Sequence, residues 1–114
     1  MRKLNLKINA KDYVLEMNRT SIKWLEAFGF SIEEFNKKPI TYYDLLWTSL
    51  FIANHKEVNP NSAMKLLESY EKEKGAKMVT KVIKFAIEEY DAFIDALADT
   101  NSTQIDEELE IIEA

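Results

Sequence analysis

The stretch Pro39-Ile-Thr-Tyr-Tyr-Asp-Leu-Leu-Trp-Thr-Ser-Leu-Phe-Ile-Ala-Asn-His55 decides how this chain folds. From Leu45 to His55 it holds eleven residues without a formal charge, among them Leu45, Leu46, Trp47, Leu50, Phe51 and Ile52. On a helix those side chains point around most of the circumference, so the helix must be covered on several sides. Thr41, with Asp44 three residues on, reads as its start: a hydroxyl cap, then an acid in the first turn. The segment is far too short to span a bilayer, which needs about 20 apolar residues. It reads as a central core helix around which the remaining elements pack.

The whole chain is consistent with that reading. At 114 residues it is one domain, and 46% hydrophobic with 31% charged residues is an ordinary globular balance. It has no cysteine, hence no disulfide and no thiolate chemistry, which suits a cytoplasmic protein. Met1-Arg-Lys leads into alternating residues and not into the apolar core of a signal peptide, and no run is long enough for a membrane span. The net charge of −5 is unevenly placed. Residues 99–114 carry Asp99, Asp106, Glu107, Glu108, Glu110 and Glu113 and no base, which leaves the rest of the chain at +1. A near-neutral body with an acidic end disfavours nucleic-acid binding.

Upstream of the core helix, Leu4, Leu6 and Ile8 share one parity, and Tyr13, Leu15 and Met17 share another. With Asn9-Ala-Lys-Asp12 between them as a turn, this is a β-hairpin whose apolar face must lie on helices, since a lone hairpin is marginal in water. Its outer edges are expected to stay open, and an open edge can pair with another chain. Asn18 caps a helix carrying Ile22, Trp24, Leu25 and Phe28, and Gly29 followed by Phe30 reads as a Schellman-type stop. Ser31 with Glu34 is a capping box for a single turn bearing Ile32 and Phe35, and Lys37-Lys38-Pro39 breaks the chain before the core helix.

The run Leu15-Glu-Met-Asn-Arg19, then Trp24-Leu-Glu-Ala-Phe-Gly-Phe30, then Lys38-Pro-Ile40 ahead of the apolar helix resembles the tail assembly chaperones of long-tailed bacteriophages. The resemblance runs from about the first strand to the start of the last helix. Its marks are turn residues and aromatic spacings. It implies a non-enzymatic protein in the cytoplasm of an infected or lysogenic bacterial host, made while the virion is assembled and absent from the mature virion. Members of that family coat the tape measure protein and bring tail tube subunits to it; many are extended by a translational frameshift. The shared pattern is one of folding, so the resemblance assigns no binding residue.

Downstream, Asn59-Pro60 is a cap followed by Pro at the first helical position. Ala63, Leu66, Leu67 and Tyr70 then share one helical face, and Gly75 ends the helix. The last long helix is expected from Ala76 to Ala98. Val79, Val82, Ala86 and Phe93 form one stripe on it, and Ile83, Ile87, Tyr90, Ile94 and Leu97 form another beside it. Two stripes are wider than one neighbour requires, so the helix is wedged between two others or part of it faces a second molecule. Its remaining face segregates charge: Lys77, Lys81 and Lys84, then Glu88, Asp91, Asp95 and Asp99 on the same line. This row is either a wet face with Lys84–Glu88 as an i,i+4 pair, or a strip on which the basic half of one copy meets the acidic half of the next.

The expected architecture is therefore mainly α (α+β): a short N-terminal β-hairpin on a bundle of about four helices over residues 1–98, with a flexible acidic tail over 99–114. In the tail, Ile105, Leu109 and Ile112 are spaced for one helical face, either a frayed solubilising end or a segment that folds on a partner. No cofactor or metal is expected. His55 is the single histidine and reads as a capping or surface residue, and two glycines cannot build a phosphate loop. Glu88, Asp91 and Asp95 fall on one face as a solvated acidic strip in preference to a site for a hard cation. Tyr42, Tyr43 and the two Trp read as packing residues. Three function classes follow. The first is the assembly chaperone, binding the tape measure and tail tube proteins and self-associating. The second is a small acidic regulatory or adaptor protein, antitoxin-like or anti-repressor-like, that binds one basic partner. The third, an enzyme, has the least behind it for want of a convergent polar site.

Overall fold

Leu46, Trp47, Thr48, Ser49, Leu50 and Phe51 are buried one after another, as only a helix covered on every side can be. The computed structural model describes the backbone of residues 2–103 and the side chains of residues 2–97. In chain order it has strands β1 (Lys3–Ile8) and β2 (Lys11–Glu16), then helices α1 (Arg19–Ala27), α2 (Ile32–Lys37), α3 (Pro39–Ile52), α4 (Pro60–Lys74) and α5 (Ala76–Thr103). The expected α+β arrangement holds: a hairpin and four longer helices, with the six-residue α2 added between α1 and α3. α3 touches α1, α2, α4, α5 and β2, which is how an unstriped apolar helix avoids water. Each large side chain sealed in this way stabilises the fold by about 1.5–3 kcal/mol. The one indole donor in the centre, Trp47 Nε1–H, is satisfied by the Ala63 carbonyl at 2.9 Å, so Trp47 costs no unpaired polar group.

α3 is entered three residues before the expected cap, Thr41. Its first residue is Pro39, and its N-cap, Lys38, makes no side-chain capping bond. The reason lies in α2, whose last turn ends with the Lys38 N–H donating to the Glu34 carbonyl. Only Lys38 is left as a hinge, and Pro39, with its fixed φ and no N–H to satisfy, starts the next helix without a cap. Other helix ends follow their local signals. The Asn18 side chain accepts from the Ser21 N–H, and Ser31 accepts from the Glu34 N–H, which is one half of the expected capping box. Asn59 and Ser62 form a reciprocal capping box. α1 closes in a Schellman turn, with Gly29 at φ 78°, the Phe30 N–H on the Leu25 carbonyl and the Gly29 N–H on the Glu26 carbonyl.

The hairpin turn is shorter than expected: only Asn9 and Ala10 are in it, with φ 53° and 65°. Two central residues with positive φ make a type I′ turn, whose twist matches that of the strands it joins. The register pairs Leu6 with Tyr13 and Leu4 with Leu15, so Leu6, Ile8, Tyr13, Leu15 and Met17 are buried, as their alternation predicts. The expectation of two open edges fails for β2. Val14 turns its N–H and C=O away from β1, and the chain just past α3 receives both. The Val14 N–H donates to His55 Nε2 at 3.0 Å, and Asn54 Nδ2 donates to the Val14 carbonyl at 3.3 Å and to Glu16 Oε1 at 2.8 Å. His55 is thus neither a helix cap nor a surface residue. Accepting at Nε2 places the ring proton on Nδ1, 3.5 Å from Glu57 Oε1.

α5 runs to Thr103, not Ala98, so the expected domain boundary falls inside a helix. Residues 99–103 contain neither Gly nor Pro, and a polar composition alone does not stop a helix. No helix among the described residues is long and apolar enough to cross a membrane.

Candidate protein-docking surface

An apolar groove of about 510 Å³ opens where α1 ends and where α3 and α4 begin. Tyr42, Leu45 and Thr48 line it from α3, and Pro60 and Met64 from the first turns of α4. Phe28 and Ile40 stand at its mouth, 50% and 78% exposed. Local folding explains both. The Schellman turn sends Phe30 into the core, against Tyr42 and Tyr90, and leaves Phe28 outside with the Trp24 ring beside it, centroids 4.6 Å apart. Ile40 follows Pro39 in the first turn of α3, whose N-cap makes no side-chain bond. Asp44 is the one charged residue lining the groove, and burial raises its carboxyl above the ordinary value. Thr48 spends its hydroxyl on the Asp44 carbonyl at 3.0 Å. The lining is mostly apolar, with the Asp44 carboxyl and the Thr41 and Tyr42 hydroxyls as its remaining polar groups, a surface suited to the side chains of a protein partner.

The residues singled out in the sequence are placed differently. Lys77, Lys81, Lys84, Glu88, Asp91 and Asp95 are all exposed along α5. The wet face opposite the core is thus real, but the expected Lys84–Glu88 pair is not formed. Glu88 meets Arg2 instead at 3.5 Å. Arg2 also holds Glu89, its Nε 2.9 Å from Oε2 and its backbone N–H 2.7 Å from Oε1. Burial by itself would raise the Glu89 carboxyl, but the two Arg2 bonds and the guanidinium charge outweigh it and hold the group below its ordinary value. This ties the chain start to α5. Among the described residues, no group of three or more His, Cys, Asp or Glu side chains converges as a metal site, and Glu88, Asp91 and Asp95 do not make one. Ile105, Leu109 and Ile112 lie outside the described residues.

The two adjacent stripes of α5 are both present, and their cover changes along the helix. Val79, Val82, Ile83, Ala86 and Tyr90 are buried against the body, so the first half is wedged as expected. Ile94 and Leu97 are 39% and 43% exposed. The groove was not foreseen, whereas the exposed end corresponds to the alternative expectation for this helix, that part of its double stripe is left uncovered by its own chain. The signal for the first was Pro39-Ile40 itself, a large apolar residue in the opening turn of a helix; for the second it was a stripe longer than the helices that could cover it.

No curated protein and no solved structure is significantly similar to this chain. The model of one family, described as Domain of unknown function (DUF5055), matches residues 1–109, which is nearly the whole length. The chain belongs to the DUF5055 family.

Proposed function

We propose that this protein is a non-enzymatic tail assembly chaperone of a long-tailed bacteriophage. In this reading it binds the tape measure protein, helps recruit tail tube subunits, works in the cytoplasm of the infected or lysogenic host and is left out of the mature virion. The supporting sequence is the Leu15–Arg19, Trp24–Phe30 and Lys38–Ile40 pattern. The observation that carries a binding role is the groove, where Phe28 and Ile40 hold large apolar side chains in water beside a well-sealed core. Such exposure costs solubility and is retained where a partner covers it. The row Lys77, Lys81, Lys84, Glu88, Asp91 and Asp95 supports self-association, because only Glu88 has an in-chain ion pair among the described residues.

Co-expression with a tape measure protein tests the proposal. The chaperone should hold the tape measure protein in the soluble fraction, and Ile40→Asp should lose that capture while keeping its own circular dichroism. Insolubility of the tape measure protein with and without the wild-type chain would reject the tail-assembly role. A second reading, an acidic adaptor for one basic protein, is favoured by the acidic character of the α5 end. Capture of a basic regulator, unaffected by Ile40→Asp, would support it.

A further inference from the structure

α5 outruns the fold. Among the described side chains of α5, Glu89 is the last tied to the chain start, and Tyr90 is the last buried one, edge-on to Phe30 at 5.0 Å. The helix continues to Thr103, about 20 Å further at about 1.5 Å per residue. Its apolar face does not stop where the cover stops. Phe93, Ile94 and Leu97 follow Tyr90 at i+3, i+4 and i+7, with Phe93 half-buried and the other two exposed. Charge changes at the same place. All 15 Lys and Arg lie in residues 1–84 beside ten of the acids, whereas residues 85–114 hold the other ten acids and no base.

We propose that the projecting end of α5 is a docking site for a basic amphipathic helix of another protein. The partner's apolar stripe covers Ile94 and Leu97, and its lysines or arginines face Asp91 and Asp95 on the flank. A helix is the element whose own stripe matches a line of residues at this spacing. The partner's charge follows from the acids beyond Glu89, a stretch to which the sequence adds no base; their field attracts a basic helix and repels anionic lipid, nucleic acid and the same acids of a second copy. The basic row Lys77, Lys81 and Lys84 of a second copy can meet the acids, as self-association requires, but it cannot cover Ile94 and Leu97, because the apolar side of that turn, Val79, Val82 and Ile83, is already buried in its own core. The inference stands apart from the tail-assembly reading, since the purified protein alone is tested.

The probe is a labelled peptide of about 20 residues with Leu at the heptad core positions and Lys elsewhere, beside a version with Glu in place of Lys. Fluorescence anisotropy should show binding of the Leu–Lys peptide and not of the Leu–Glu peptide. Ile94→Ser with Leu97→Ser should weaken it by about tenfold or more, the loss expected from uncovering two apolar contacts. Asp91→Asn with Asp95→Asn should weaken binding and flatten its decline with salt. Ile40→Ser should bind as wild type does, and circular dichroism should be the same for every variant. Four results would each overturn the proposal: no binding of the Leu–Lys peptide, equal binding of the Leu–Glu peptide, wild-type binding by the double serine variant, or equal loss in Ile40→Ser.

Discussion

In α3, six consecutive side chains from Leu46 to Phe51 are buried, and every polar atom among them has a partner. In α5 beyond Tyr90, Phe93 is only partly buried against the core, and Ile94 and Leu97 stand 39% and 43% exposed. The two regions do not differ in hydrophobicity so much as in what surrounds them. α3 sits between two ends of the chain that return to it: the hairpin and α1 from one side, α4 and α5 from the other. α5 is longer than α4 by 13 residues, and its stripe runs past the cover that buries its first half. An apolar stripe therefore marks a surface that needs a neighbour, and chain length decides whether the neighbour is in the same molecule.

Substitutions of equal chemistry in the two regions should have unequal effects. Leu46→Ala should cost about 2–5 kcal/mol in chemical denaturation, the loss of a sealed side chain plus its cavity. A loss under about 0.5 kcal/mol would place Leu46 at the surface and remove the contrast. His55→Ala should cost about 1–3 kcal/mol, because the Val14 N–H loses its acceptor on the covered side of β2. Faster amide exchange at Val14 in that variant checks the assignment. Glu89→Gln, at the boundary between the covered and bare parts of α5, should cost about 1 kcal/mol near neutral pH. Because the folded state holds this carboxyl below its ordinary 4.5, the stability it adds is present above that pH and is lost as pH falls through the folded value. The wild-type and Gln stabilities should converge in acid; a constant gap would mean the ion pair contributes nothing. Leu97→Ala should change stability by less than about 0.5 kcal/mol, and a larger loss would show the end of α5 to be packed.

What could be read from the chain depended on the range of the interaction. Asn18, Gly29 and Asn59-Pro60 act within one turn, so their caps and stops were legible. The hairpin parity was legible because a period of two survives any tertiary arrangement. The start of α3 was misread because Thr41–Asp44 is a sound local cap, and only the position of α2, separated from Pro39 by Lys38 alone, makes it unnecessary. His55 was misread because its partner Val14 is 41 residues away. The groove draws on three elements and has no local signature beyond Ile40. The charged row was legible as a face, but its expected internal pair was replaced by Arg2, 86 residues from Glu88 and outside any helical spacing.

Native-state amide exchange on the free protein compares the two regions in one measurement. Residues 46–51 should exchange only through global unfolding, at the free energy found by denaturation, and residues 79–90 should approach that limit. Residues 91–97 should exchange through local opening at distinctly lower free energy, with the step falling at Tyr90. Uniform protection of α5 through Leu97, equal to that of α3, would mean that its end is already covered and would contradict the account.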